Sequence, residues 1–286
     1  MPLSARLYKT EAIILRQRKL GEADRILTLY TPTLGKFDAK AKGVRKTMSR
    51  LSGHLQPLNR CVLQLAQGHT ADVITGVETL DSFRSLREDL ERLSRGLYAA
   101  ELTDRISAEH VHSFPTFRLL LDTLRRLDQP ATPVAHSPSP EPAASPDLTL
   151  RFFEMRLLDQ SGFRPELERC VGCLQPLEAG DARSTASDDA LMAGFFAPVA
   201  GGAVCRGCVP GLAGPRVLTL NALKLLRLLQ RGSYNDVARV RAPADLAEEV
   251  ERHLRSYIIT VLERDVNSAS FIERLRRDGA RAAIEV

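Results

Sequence analysis

The chain lacks the short motifs that mark common enzymatic chemistry. It has no Gly-Lys-Ser/Thr phosphate loop, no dinucleotide-type Gly-x-Gly-x-x-Gly, no nucleophile elbow and no His-Glu-x-x-His. Acidic pairs such as Glu88-Asp89, Asp188-Asp189 and Glu248-Glu249 read as solvated positions, and nothing sets two carboxylates in a shared pocket. His110 and His112, two apart, would point to different sides of a helix, as surface histidines do. The chain is therefore expected not to be an enzyme. No apolar run approaches the length of a membrane span, and Met1-Pro2-Leu3-Ser4-Ala5-Arg6 has no apolar leader core, so a soluble cytoplasmic protein is expected. Internal repeats and long heptad runs are absent as well. Cysteine is scarce, with five residues. Four of them sit in two knuckles, which suits a reducing compartment better than a disulfide framework. Cys61, among the apolar neighbours Val62 and Leu63, reads as a buried structural thiol.

The length of 286 residues allows two or three domains, and 44% hydrophobic with 26% charged residues is ordinary for a globular protein. The charge is unevenly spread. Residues 1–80 carry 13 Lys and Arg against 6 Asp and Glu, net +7; the rest carries 27 against 29, net −2. A polyanion-binding module joined to a near-neutral scaffold fits that asymmetry.

The periodicity divides the chain at about the same place. From Tyr8 to Leu80, Glu11–Arg16, Arg25–Tyr30, the alternating Phe37/Ala39/Ala41 run, Cys61–Ala66 and Val73–Val77 read as five short strands, with breaks at Gly21, Pro32–Gly35 and Gln67–Thr70. Five strands in about 70 residues suit an OB-type β-barrel; a β-sandwich is the alternative. Beyond Leu80 helical spacing takes over, at Phe83, Leu86, Leu90, Leu93 and Leu97 and at Phe117, Leu120, Leu121, Leu124 and Leu127. Six prolines between Gln129 and Asp147 mark a flexible insert. Asp147 is expected to cap a helix ending near Gly162, and Thr219 one over Leu220–Gln230 that stops at Gly232. A longer helix should follow Pro243, with Leu246, Val250, Leu254, Ile258 and Val261 on one face, and a short one should run from Ser270 to Arg277. The expected class is α+β multidomain: an OB-fold nucleic-acid-binding domain over 1–80, then a mainly helical domain over 81–161 (flexible insert 129–147) and 216–286, interrupted by a zinc-binding region over 162–215.

Cys170-Val171-Gly172-Cys173 and Cys205-Arg206-Gly207-Cys208 are the strongest chemical signal. Two residues between cysteines let one turn aim both sulfurs at a single ion, with Gly172 and Gly207 supplying permissive backbone. The 31 intervening residues exceed the roughly 15–20 of the usual pattern, but doubling a loop costs only about 0.6 kcal/mol. Two disulfides or four unrelated thiols are the alternatives. With four sulfurs and no open position the expected cofactor is one structural, non-hydrolytic zinc ion on Cys170, Cys173, Cys205 and Cys208, contributing on the order of 10 kcal/mol to folding of the segment. Between Gly162 and Pro215 four arginines (Arg164, Arg169, Arg183, Arg206) face six acids (Glu166, Glu168, Glu178, Asp181, Asp188, Asp189), and four thiolates on one divalent ion add a further −2. Such a region should repel phosphate. Arg169 and Arg206, each beside a knuckle, soften the charge of the site itself.

DNA contact is expected instead on the barrel, from Arg16, Arg18, Arg25, Lys36, Lys40, Lys42, Arg45, Lys46 and Arg50, with Arg60 beyond them. Tyr8, Tyr30 and Phe37 are candidate platforms for unstacked bases. Six phosphate contacts would give a salt slope of roughly −5 on duplex and about −4 on single strands.

The run Gly21-Glu22-Ala23-Asp24-Arg25-Ile26-Leu27-Thr28-Leu29-Tyr30-Thr31, with Gly35-Lys36, Ala41-Lys42-Gly43-Val44-Arg45-Lys46 and Leu55-Gln56-Pro57-Leu58, resembles the N-terminal signature of the RecO family of bacterial recombination mediators. The resemblance is specific over about the first 80 residues. Thereafter a helical domain interrupted by paired Cys-x-x-Cys motifs is similar to the zinc-bearing members, whose ligands map onto Cys170, Cys173, Cys205 and Cys208. The resemblance implies a nucleoid-associated DNA-repair protein that binds single- and double-stranded DNA and anneals complementary strands. It also implies work with RecR to load RecA onto DNA coated by single-strand-binding protein, whose acidic C-terminal tail docks on the helical part. Arg125, Arg126, Arg274 and Arg276 are candidates for that tail. The competing reading is a protein-interaction scaffold whose basic barrel face mainly docks a partner.

Overall fold

In the computed structural model the described residues are 7–45, 50–129, 145–177 and 192–263, with 266, 268, 269, 271, 272, 274 and 275 beyond them. They fall into two compact units, one of residues up to 129 together with those from 266 onward, the other of residues 145–263.

The first unit begins with β1 (Leu7–Leu20), β2 (Asp24–Thr31), β3 (Gly35–Ala41), β4 (Arg60–Ala66) and β5 (Asp72–Asp81), closed into a barrel in the order β1-β2-β3-β5-β4. Closure comes from a short parallel pairing of Ala39 and Lys40 with Asp72 and Val73. Alternate residues point inward: Ala12, Ile14, Leu27, Leu29, Phe37, Ala39, Cys61, Leu63 and Leu65 fill the interior. β3 shows the expected alternation, with Lys36, Asp38 and Lys40 on the outer side. β1 does not alternate, since Ala12–Leu15 is buried throughout. Over those residues its outer face is covered by helix, as is that of β2 at Tyr30.

Those helices are α1 (Arg84–Glu88), α2 (Leu90–Ile106) and α3 (Phe114–Asp128). The leucine spacing from Phe83 onward is broken at Asp89, which is extended, accepts from the N–H groups of Glu91 and Arg92 and starts α2 anew. Leu90 is left exposed at that cap. Gly96 lets α2 close on the core, since a Cβ there would lie 3.1 Å from Leu58 and 3.2 Å from Leu86. His110 and His112 lie in the α2–α3 loop, not on a helix, and His110 takes a left-handed φ of 58°. Helices expected to belong to a separate domain thus share one compact unit with the barrel.

The second unit contains α4 (Pro146–Gln160), β6 (Met192–Ala197), β7 (Gly202–Val204), β8 (Arg216–Thr219), α5 (Leu220–Arg231), α6 (Tyr234–Ala238) and α7 (Ala244–Leu262). α4 is capped by Ser145, whose hydroxyl accepts from the N–H of Leu148. Pro146 then occupies the first helical position and Asp147 only the first turn, so the expected cap is displaced by two residues. Thr219 caps α5 and Gly232 ends it, as the sequence predicts. α7 follows Pro243 and buries Val250, Leu254 and Ile258 with His253 and Tyr257. The sheet β7-β6-β8 was not foreseen. Only part of the short helix expected over 270–277 is described; Phe271, Ile272, Arg274 and Leu275 are helical. Most of the proline-rich stretch lies outside the described residues. No described helix is long and apolar enough to cross a membrane.

Candidate metal centre and nucleic-acid interface

The two knuckles meet because β7 runs into one of them and pairs with the approach to the other. Glu166 bridges Gly202 in parallel, exchanging N–H and carbonyl bonds with Gly201 and Ala203, and the N–H of Val171 donates to the carbonyl of Ala203 at 3.0 Å. Gly202 is required there, since a Cβ would lie 2.2 Å from the Glu166 carbonyl oxygen. The first knuckle then turns back through Leu174 N–H to Cys170 C=O at 2.8 Å, with Leu174 at a φ of 62°. The second is a 3₁₀ turn over Arg206–Cys208. The sulfurs of Cys170, Cys173, Cys205 and Cys208 all lie within 4.8 Å of one another.

The donor set suits a cation. Burial by itself would raise the Cys170 thiol, but the N–H groups of Cys205, Cys173 and Gly172 outweigh it and bring it down to about 6. The Cys205 N–H lies 3.3 Å from the Cys170 sulfur. Cys208 moves the other way, to about 12, because the sulfurs of Cys205, Cys170 and Cys173 crowd it. A positive ion would relieve that crowding. Gly172 matters for proximity: a Cβ would lie 2.9 Å from Cys208 Cβ and 3.0 Å from its Sγ. Gly207 has open space around it and no left-handed φ, so the permissive role expected of both glycines falls to Gly172 alone, and for a steric reason. Much of the acidity assigned to this region is on Glu178, Asp181, Asp188 and Asp189, outside the described residues. Glu168, which is described, is engaged by Arg227 at 3.2 Å and Arg231 at 2.9 Å.

On the barrel, register places Arg18, Ile26 and Lys40 in one row across the outer face and Arg16, Thr28 and Asp38 in the next. Three of these cations have carboxylate partners: Arg16 with Asp104 at 2.6 Å, Arg18 with Asp38 at 2.8 Å and Lys40 with Asp24 at 3.5 Å. Burial would raise the Asp38 carboxyl, but the Thr28 hydroxyl and the Arg18 guanidinium hold it below its ordinary value. The pairs are exposed enough for each to contribute no more than about 1 kcal/mol, so a phosphate can exchange with the carboxylate.

At the end of that face the β1–β2 turn grips the loop after β3. Gly21 turns the chain with a φ of 59°. Asp24 Oδ1 accepts from the N–H of Gly43 at 2.8 Å, which is the main reason its carboxyl lies below its usual range. The Ala23 carbonyl accepts from the Arg45 N–H at 2.9 Å, and that of Gly21 from the Arg45 guanidinium at 3.0 Å. Val44 is buried, leaving Lys42 and Arg45 outward. Lys19, which the sequence reading passed over, is exposed at the end of β1 opposite Arg25. Lys19 lies on the strand face opposite that of Arg16 and Arg18. Among the described residues Lys19, Lys42, Arg45 and Arg50 are exposed and in no salt bridge. Arg25 is half-buried and donates to Gln17 at 2.6 Å.

Lys36 and Arg60 are placed differently. The Lys36 ammonium is 12% exposed, lies 3.3 Å from the Asp104 carboxylate and donates to the Asp104 carbonyl. Arg60 joins Glu11 at 2.6 Å and Asp81 at 2.9 Å across three strands. Tyr30 and Phe37 are core residues, 1% and 5% exposed, rather than open platforms. Tyr8 is half-buried and its hydroxyl donates to Asp72. Lys46 lies outside the described residues. Of the other arginines considered, Arg125 pairs with Asp81 at 3.3 Å and Arg274 lies over the Phe271 ring; Arg276 is not among the described residues.

Comparison with known proteins agrees with this layout. The family model for the N-terminal part of recombination protein O matches residues 5–83, and that for its C-terminal part residues 87–270. A DNA repair protein RecO from Roseiflexus sp. (strain RS-1) is 39% identical, over 95% of this chain and 87% of its own. That of Dehalococcoides mccartyi (strain CBDB1) is 36% identical over 94% and 96%, and that of Symbiobacterium thermophilum 34% over 94% and 98%. With both parts matched and relatives alike over nearly their whole length, the chain belongs to the RecO family of DNA repair proteins.

Proposed function

We propose that this chain binds single- and double-stranded DNA through the barrel, anneals complementary strands, and with RecR helps load RecA onto DNA coated by single-strand-binding protein. The observation that carries the reading is the concentration of Arg16, Arg18 and Lys40 on one outer face and of Lys19, Lys42 and Arg45 at the adjoining barrel end. Cations there screen two repelling phosphate backbones and so lower the electrostatic barrier to pairing, with no covalent step. Lys36 instead ties β3 to α2 through Asp104, and Arg60 ties three strands together. Cys170, Cys173, Cys205 and Cys208 hold one zinc ion, which when bound supplies a closed structural crosslink.

The test is annealing of complementary oligonucleotides followed across salt concentration, with and without single-strand-binding protein. Acceleration that weakens with salt and fails in a Lys42→Glu/Arg45→Glu variant supports the proposal. Unchanged annealing by that variant overturns the assignment of the face. If the variant loses capture of RecR in nuclease-treated extract while annealing persists, the face is a docking surface and the chain a scaffold.

A further inference from the structure

The end of the barrel at the β2–β3 turn, the far end of β3 from Lys42, holds a cavity of about 490 Å³ lined by Tyr8, Leu34, Phe37, Gln67, Asp72 and His110 among others. β3 spans seven residues, which at about 3.3 Å each separates this cavity from the cationic loop by roughly 20 Å.

Its walls are fixed by hydrogen bonds. Thr31 Oγ1 accepts from the Leu34 N–H at 3.0 Å and donates to the Gly35 carbonyl at 3.1 Å, closing the β2–β3 turn. That turn is seated on the α2–α3 loop: His110 N–H donates to the Lys36 carbonyl at 2.8 Å, and a Cβ on Gly35 would lie 2.3 Å from the Val111 carbonyl oxygen. His110 thereby stacks on Phe37, with centroids 6.2 Å apart and planes 17° from parallel. Opposite it, Asp72 accepts from the Tyr8 hydroxyl and, at 3.1 Å, from the Gly68 N–H. Burial and then the Asp72 carboxylate push the Tyr8 hydroxyl well above its ordinary value, so it stays a donor.

Among the described residues the lining contains a carboxylate and aromatic faces but no lysine or arginine, and the nearest lysine on β3, Lys36, is engaged by Asp104. A nucleotide would bring its phosphate close to Asp72 with no cation among the described lining residues to meet it. A cation is complementary: its charge faces the free lone pairs of Asp72 while its flat side lies on His110 or Tyr8. Around the cavity Leu34 is 39% and Val111 58% exposed, apolar neighbours for the rest of a peptide. We infer that this cavity is a docking site for a partner protein's arginine side chain flanked by an apolar residue, independent of the DNA-binding face.

The probe is the capped dipeptide acetyl-Leu-Arg-amide, titrated into the full chain while the His110 ring and Gly68 amide resonances are followed by NMR. The same dipeptide with citrulline, which keeps the shape and loses the charge, is the control. Saturable shifts confined to this end of the barrel are expected, with affinity lower by about tenfold or more for citrulline and in Asp72→Asn. His110→Asn, which tolerates the left-handed backbone and leaves Asp72 untouched, should weaken binding as well; dispersed spectra of both variants establish that they are folded. Absence of saturable shifts, or equal binding of citrulline, overturns the inference. So does a thymidine oligonucleotide that shifts the same resonances and binds Asp72→Asn as well as or better than wild type, which would make this a base pocket.

Discussion

Replacing Lys19, Lys42 and Arg45 together by Gln should flatten the salt dependence of DNA binding without unfolding the barrel. These side chains are exposed and in no salt bridge, so their removal breaks no carboxylate pair. Each phosphate contact contributes about 0.9 to the slope of log K against log salt on duplex and about 0.7 on single strands. With Arg50 counted as a fourth phosphate contact the slope is about −3.6 on duplex, which is a loss of about 150-fold between 50 and 200 mM salt. Removing three reduces the slope by about 2.7 on duplex and about 2 on single strands, so that salt costs the variant only about fourfold if no paired cation contributes. Arg16, Arg18 and Lys40 exchanging their carboxylates for phosphates would steepen both slopes alike and leave the difference intact. Fluorescence anisotropy of labelled oligonucleotides at five or six salt concentrations measures it. Lys36→Gln is the contrast, because that ammonium is held by Asp104; it should lower stability by about 1–3 kcal/mol and leave the slope of the folded protein unchanged. A slope that responds to Lys36→Gln but not to the triple variant would refute the placement of DNA on this face.

Cys170→Ser should reduce bound zinc and melting temperature while sparing DNA affinity per folded molecule, as read by metal quantification, thermal denaturation and anisotropy on one preparation. Gly172→Ala should destabilise the metal-bound protein by about 1–3 kcal/mol because the new methyl meets Cys208, whereas Gly207→Ala, in open space, should have little effect; equal effects would show that proximity is not what Gly172 provides. Arg60→Ala should cost about 2 kcal/mol in chemical denaturation, between exposed and buried pairs, since it takes from Glu11 its cation while Asp81 keeps Arg125. Glu249 makes the second unit acid-sensitive: burial would raise its carboxyl, but His253 and the Thr219 N–H and hydroxyl hold it below its ordinary value. A depressed folded value means the stabilisation is fully present above the unfolded value of about 4.3 and is lost as pH falls through the lower folded one. Glu249→Gln should therefore be less stable than wild type at neutral pH, with the difference shrinking in acid; a difference independent of pH would remove the linkage.

Short-range rules made much of the molecule legible in its sequence. Thr219 and Gly232 bound α5 because a cap and a stop act on the residues beside them. The alternation Phe37, Asp38, Ala39, Lys40, Ala41 put cations on one face of β3 because strand geometry has period two. Cys170, Cys173, Cys205 and Cys208 could be grouped because each knuckle is local, although the strand pairing of Glu166 with Gly202 that joins them was not visible. What remained to the tertiary structure was decided by partners distant in sequence. Lys36 and Lys40 lie on the same strand face, yet Asp104, 68 positions away from Lys36, encloses one while the other stays more open. Tyr30 is in the core because helix covers that part of the outer face of the barrel, a fact no period in β2 encodes. The charged end and the cavity at the opposite end have the same cause: a closed barrel has two rims, and which residues gather at each depends on register and on what packs against the strands.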